Sequence, residues 1–221
     1  MTLTLPDGTA VRPGKVLCIG RNYAAHVREM GGSDLPEAPV VFLKPTSALV
    51  PSGGAVVIPT MSDNVHHEVE IVVVIGRGGK HIAEADALDH VAAYALGLDM
   101  TARDIQAAAK AKKAPWSVAK GFDTFAPLGP LTPVSAIADP QALDLALTIN
   151  GEARQAGTTA HMIFSVAQIV AYCSRVFTLE PGDLIYTGTP DGVGQVHPGD
   201  MLEATATGLQ PLRVTIEAEA V

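Results

Sequence analysis

HHEVEIVVVIG, residues 66–76, sets a β-branched run between a polar lead-in and two glycines, Gly76 and Gly78. Branched side chains suit a pleated sheet better than a helix, so the segment reads as a buried strand. Its apolar centre, IVVVI (71–75), is far too short to cross a bilayer. Working outward, KVLCIG (15–20) and AYALGLD (93–99) read as further buried strands, and VVFLK (40–44) and AVVIP (55–59) as strands around a turn. RNYAAHVREMG (21–31) predicts a short helix, with Asn22 as its cap and Gly31 as its stop, followed by a turn-rich loop over 31–39. A helical stretch near 83–90 precedes the 93–99 strand. TARDIQAAAKAKK (101–113) predicts a helix with Asp104 in its first turn and lysines in its last. In the second half, LDLALTIN (143–150) alternates by twos and Asn150-Gly151 signals a hairpin. Residues 162–177 carry helical periodicity, and Pro181-Gly182-Asp183 and Pro198-Gly199-Asp200 each turn into a short strand. The sum is an α+β chain, mainly β, with a few helices around its sheets.

At 221 residues, one domain (1–221) with a sizeable core is expected. Hydrophobic residues at 48% against 17% charged exclude a disordered chain, and 21 Gly with 16 Pro cut it into short elements. The net charge of −8 argues against nucleic acid as a partner. It also repels small anions at long range, so a site for one needs a local cation. Cys18 and Cys173 each lie in an apolar stretch and read as core thiols of a reduced, cytoplasmic protein. MTLTLPDGTA (1–10) has neither the basic nor the apolar region of a secretory signal, and no membrane partner is expected.

Glu68 and Glu70 are two apart in a strand, hence on one face beside a run of valines. Alone, such a pair is mostly a solvated face. Asp99, ending an apolar strand just before a helix, changes the balance: three oxygen donors suit Mg²⁺ or Mn²⁺ better than zinc. Of the adjacent His66 and His67, at most one can reach the same place, and both read as supporting residues. His26 and Glu29 are three apart on one helical face, an imidazole–carboxylate pair suited to a general base, and the glycine-rich loop beside it suits a closing lid. Arg103 and Gln106 also share a helical face. Lys120 lies in a loop between AKKAPWSVA and GFDTF, where a lysine is normally solvated; the stretch YTGTPDGVG (186–194), with Gly188 and Thr189, offers amides and a hydroxyl to an anion, although the spacing is not that of a phosphate-binding loop. Taken singly, each of these is more often surface than site.

The blocks GRNYAAHVREMG, FLKP, HHEVE, ALGLDMTARDIQ, PWSVAKGFD, MIFS and LEPGDLIYTGTPDGVG, in this order and over nearly the whole chain, resemble the fumarylacetoacetate hydrolase family, in its short acylpyruvase branch. The resemblance implies a mixed β-roll, a homodimer, and Mg²⁺ or Mn²⁺ held by Glu68, Glu70 and Asp99. It implies catalytic roles for His26, Glu29 and Lys120, and substrate contacts from Arg21, Arg103, Gln106 and Thr189. The larger members add an N-terminal domain and a further aspartate ligand; here the resemblance leaves that place to water. The expected reaction is cleavage of a short acylpyruvate to pyruvate and a carboxylic acid. Oxaloacetate decarboxylation or isomerisation of a 2-oxo diacid through the same enolate is the alternative. A degenerate dicarboxylate binder is the non-enzyme rival.

Overall fold

The computed structural model describes residues 1–220. Two large sheets organise the chain. The eight-stranded sheet runs in the order 40–44, 16–20, 184–186, 69–75, 91–98, 126–128 and 49–51, with 132–133 also pairing 91–98. The five-stranded sheet runs 152–158, 144–149, 201–206, 212–218 and 55–58. Most pairs are antiparallel, but 184–186 on 16–20, 126–128 on 49–51 and 212–218 on 55–58 are parallel, so the architecture is a mixed, mainly β roll.

The Val69–Ile75 strand is buried at every residue, and its two faces serve different cores. Val69, Ile71, Val73 and Ile75 join a large cluster with the five-stranded sheet and the helix Val166–Val176. Val72 and Val74 point the other way, onto Cys18, Ala95 and Tyr186. A strand buried on both faces has no polar alternation, which is why its valine run reads continuously.

The 66–76 stretch is not one strand. Val65–His67 belongs to a small sheet with 101–102 and 194–195, while Val69–Ile75 belongs to the large one. Glu68 sits in the break between them. The 40–44 and 55–58 strands do not form a hairpin either; they lie in different sheets, because each gains a longer partner there, residues 16–20 and 212–218 respectively.

Helix α1 (Ala24–Glu29) is shorter than expected and Asn22 does not cap it. The Asn22 amide instead donates to Phe164 O and Thr187 O and accepts from Phe164 N, stapling the chain that enters α1 to the residue after the 184–186 strand and to the segment before residue 166. Gly31, at φ 75°, ends this segment as read. Helix α2 is Arg103–Ala111, preceded by a two-residue strand, and α3 is the single turn Ser117–Lys120. Residues 84–90 form a 3₁₀ rather than an α-helix. Helix α4 (Val166–Val176) starts at a capping box in which Ser165 and Gln168 satisfy each other's backbone. Asn150 and Gly151 both take positive φ, the conformation a two-residue hairpin turn needs. Among the described residues no helix is long and apolar enough to span a membrane.

Candidate metal centre and substrate pocket

Strand register assembles the acidic cluster. The antiparallel ladder pairs Val69 with Leu98 and Glu70 with Gly97, and continues as Asp99 N donating to Glu68 O at 2.8 Å. Asp99 therefore stands opposite Glu68, with Glu70 two residues along the neighbouring strand. Ligand atoms of all three carboxylates lie within 4.8 Å of one another, and all three residues are buried.

Three cations surround these three acids. Lys120 Nζ donates to Glu68 Oε2 at 2.7 Å and to Asp99 Oδ2 at 2.6 Å. Arg103 Nη2 donates to Glu68 Oε1 at 2.5 Å. Lys44 Nζ lies 2.7 Å from Asp99 Oδ1, a charge contact not aligned as a hydrogen bond, so that oxygen has no hydrogen-bond partner among the described residues. Lys44 donates to the carbonyls of Met100 and Lys120 instead, tying the residue before the 101–102 strand to the end of α3.

The acids are not equally served. Burial pushes Glu68 up, but Lys120, Arg103 and His26 outweigh it and hold its carboxyl well below the usual range. Glu70 is driven well above that range by burial and by the charges of Asp99 and Glu68, against one amide donor, Gly188 N at 2.8 Å, and the weaker pull of the Lys120 charge. Gly188 can make that approach because it takes φ 102° and because a Cβ there would sit 2.6 Å from Asn22 Cβ. An under-compensated carboxylate and an oxygen without a hydrogen bond, both buried and close together, fit a hard divalent cation with oxygen ligands.

A cavity of about 430 Å³ opens from this cluster, walled by Phe42 and Trp116 on one side and by α1 on the other. His26 Nδ1 lies 3.1 Å from Glu29 Oε2, and Glu29 Oε1 accepts from Gly192 N at 2.9 Å. The pair is thus pinned across the pocket mouth to the 186–194 stretch, with the imidazole buried. Arg21 lines the same cavity at φ 61° and donates to Asp34 O, holding the following loop against α1.

Arg103 Nη1 donates to Gln106 Oε1 at 2.8 Å, which turns the Gln106 amide so that its NH₂ is left for the pocket. Thr189 also lines the cavity. Of the ten residues singled out from the sequence, eight line this pocket, and the other two stand behind it, Glu29 against His26 and Asp99 against Lys120. His66 and His67 do not: His66 contacts Asn64, and His67 contacts Gln155.

Sequence reasoning assigns nothing to Lys44, Lys110, Trp116 or Gln155. Lys44 carried a signal, since a lysine closing an apolar strand needs an anion if it is buried. Lys110 carried one too, lying four residues after Gln106 and seven after Arg103 on one helical face. It lines the pocket over the Trp116 ring at 5.4 Å and has no ion pair among the described residues. Burial and the neighbouring Arg103 hold its ammonium below the usual lysine range.

The fumarylacetoacetate hydrolase C-terminal family model matches residues 15–217. The mitochondrial oxaloacetate tautomerase FAHD1 of Rattus norvegicus is 50% identical over 202 residues, covering 91% of each chain, and that of Arabidopsis thaliana is 47% identical over 203 residues, covering 92% of this chain and 91% of its own. The crystal structure of fumarylpyruvate hydrolase from Pseudomonas aeruginosa, in complex with Mn²⁺ and pyruvate, superposes with a TM-score of 0.92 at 42% identity, over 99% of this chain and 96% of the other.

Proposed function

Because this chain belongs to the fumarylacetoacetate hydrolase family, we propose that it is a Mg²⁺- or Mn²⁺-dependent enzyme that interconverts a short 2-oxo diacid of the oxaloacetate type with its enol. The observation that carries this reading is the His26–Glu29 pair, held over a pocket whose floor is the Glu68, Glu70 and Asp99 cluster. Those three carboxylates would hold the ion. When bound, it would polarise the 2-oxo carbonyl of the substrate and make the protons of the adjacent carbon more acidic.

The protein's own groups divide the remaining work. Glu29, hydrogen-bonded to Nδ1, orients the imidazole, so His26 Nε2 is the atom that takes a proton from substrate carbon or returns it to oxygen. Lys120 spends two of its three N–H donors on Glu68 and Asp99; the third is left for the oxygen on which negative charge develops. The freed NH₂ of Gln106 and the hydroxyl of Thr189 bind the carboxylate next to the 2-oxo group. Arg21 and Lys110, on the outer wall, are the cations for a distal carboxylate.

Three acids against three cations leave the cluster near neutrality, so a divalent ion makes the pocket locally positive. That is how a chain of net charge −8 attracts a dianion. Hydrolysis of an acylpyruvate is the second reading, favoured by the likeness to the fumarylpyruvate hydrolase; there His26 would take its proton from water. A panel of oxaloacetate enol, fumarylpyruvate and acetylpyruvate, assayed with Mg²⁺, Mn²⁺ or EDTA, separates the two. Enol loss without pyruvate release supports the first reading. Pyruvate release from the acylpyruvates with no effect on the enol replaces it by the second, and inertness toward all three sinks both. A homodimer and a single 1–221 domain complete the proposal; sedimentation and limited proteolysis test them.

A further inference from the structure

Gln155 lies on the Glu152–Thr158 strand and is 2% exposed. Its side-chain amide uses every hydrogen-bonding position it has. Oε1 accepts from Val69 N at 3.0 Å and lies 2.9 Å from His67 Nδ1. Nε2 donates to Pro190 O and to Thr189 Oγ1, both at 2.9 Å. Two of these partners have fixed polarity: a backbone N–H can only donate and a backbone carbonyl can only accept. The amide therefore cannot flip, since reversal would set N–H against N–H and oxygen against oxygen.

Fixed polarity propagates. His67 must carry its proton on Nδ1. Thr189 Oγ1 must accept from Gln155, so its own O–H proton points elsewhere, and among the described residues it meets no protein acceptor. Thr189 is 3% exposed and lines the pocket beside Glu68, Glu70 and Lys120.

We infer that Gln155 is a positioning residue that makes Thr189 a committed hydrogen-bond donor to the carboxylate of the bound 2-oxo acid. A free threonine hydroxyl can donate or accept; one whose lone pair is already taken by an amide N–H has its proton left for the ligand. The proton so directed favours a strong acceptor, and an ionised carboxylate accepts more strongly than the carbonyl of a neutral amide or ester. The chain His67–Gln155–Thr189 also aligns successive donors, which strengthens each bond in turn. This rests on the reading of Thr189 as a carboxylate-binding residue.

The test is calorimetric binding of oxalate to the Mn²⁺-loaded protein, with Mn²⁺ affinity and melting temperature measured separately for each variant. Thr189→Val should weaken oxalate about 10–100-fold, the range for a hydrogen bond to a charged group. Gln155→Leu should weaken it about 10-fold with Mn²⁺ affinity unchanged. In the Thr189→Val background, Gln155→Leu should cost nothing further. Gln155→Glu, nearly isosteric, should also weaken oxalate, because an ionised carboxylate accepts the threonine proton and turns it from the pocket; this variant decides the matter if the leucine protein does not fold. Oxalate affinity unchanged in the Gln155 variants, or costs that simply add in the double variant, overturns the inference even if the melting temperature falls. Unchanged affinity in Thr189→Val overturns it differently, by removing the role of Thr189 itself.

Discussion

Replacing Glu70 by glutamine should raise the stability of the metal-free protein while removing its response to metal. Glu70 shares a buried space with Glu68 and Asp99, ligand atoms within 4.8 Å, and has one amide donor of its own. At an effective dielectric of about 20, like charges 4.8 Å apart repel by about 3.5 kcal/mol, and two such neighbours act on Glu70. The Lys120 charge offsets part of this, and proton uptake by the raised Glu70 carboxyl relieves more, leaving about 1–3 kcal/mol to be recovered. The glutamine oxygen can still accept from Gly188 N, and its NH₂ can donate to the neighbouring carboxylates. For a chain of this size the gain corresponds to a melting temperature about 3–10 °C higher in EDTA. The wild-type protein at about 100 times the Kd of Mn²⁺ should gain about 2.7 kcal/mol, or about 5–11 °C, and the variant far less. Scanning calorimetry in EDTA and then in excess Mn²⁺ gives both numbers. A variant that melts below wild type in EDTA, or that keeps the full Mn²⁺ shift, would refute the electrostatic argument.

His26→Ala should slow enol–keto interconversion, and any acylpyruvate hydrolysis, by about 10²–10⁴-fold, and oxaloacetate decarboxylation much less, since loss of CO₂ needs no base. Equal losses, measured as enol absorbance, pyruvate and CO₂, would reduce His26 to a lid residue. Lys110→Met should raise KM for oxaloacetate about 10-fold or more and spare acetylpyruvate, which has no distal carboxylate; a shift shared by both substrates would remove Lys110 from substrate recognition. Burial pushes the Asp104 carboxyl up, but hydrogen bonds from Ser62, Asp63 and Ile105 outweigh it and hold it below its ordinary value of 3.8. A depressed carboxyl contributes stability that is fully present above its unfolded value and is lost as the pH falls through its folded value. Asp104→Asn should therefore melt below wild type at pH 7, with the difference closing below pH 3.8; a gap that persists in acid contradicts this.

The chain's local chemistry was legible without coordinates. Rules acting over two to four residues place Glu68 and Glu70 on one side of an extended segment, His26 and Glu29 on one turn of helix, and Arg103 with Gln106 on another. The same short-range rules find the Asn150-Gly151 hairpin and the long buried valine strand, because branched side chains and positive φ constrain the backbone where they occur. What the rules could not supply were partners far away in the chain. Asn22 looked like a helix cap because nothing local revealed that Phe164 and Thr187 would claim its amide. The 66–76 run looked unbroken because the change of sheet at Glu68 depends on residues 101–102 and 194–195 pairing with its first half. Asp99 reaches the glutamates only through the register of the ladder, in which a one-residue slip would turn it to the opposite face. Lys44 and Lys120 converge on that aspartate from different segments, and Gln155 reaches Thr189 from the far sheet. By itself the sequence determined which groups are available and which neighbours share a face; only the tertiary structure decided which distant charges must answer one another, because a buried carboxylate's partner is chosen by packing and register and not by proximity along the chain.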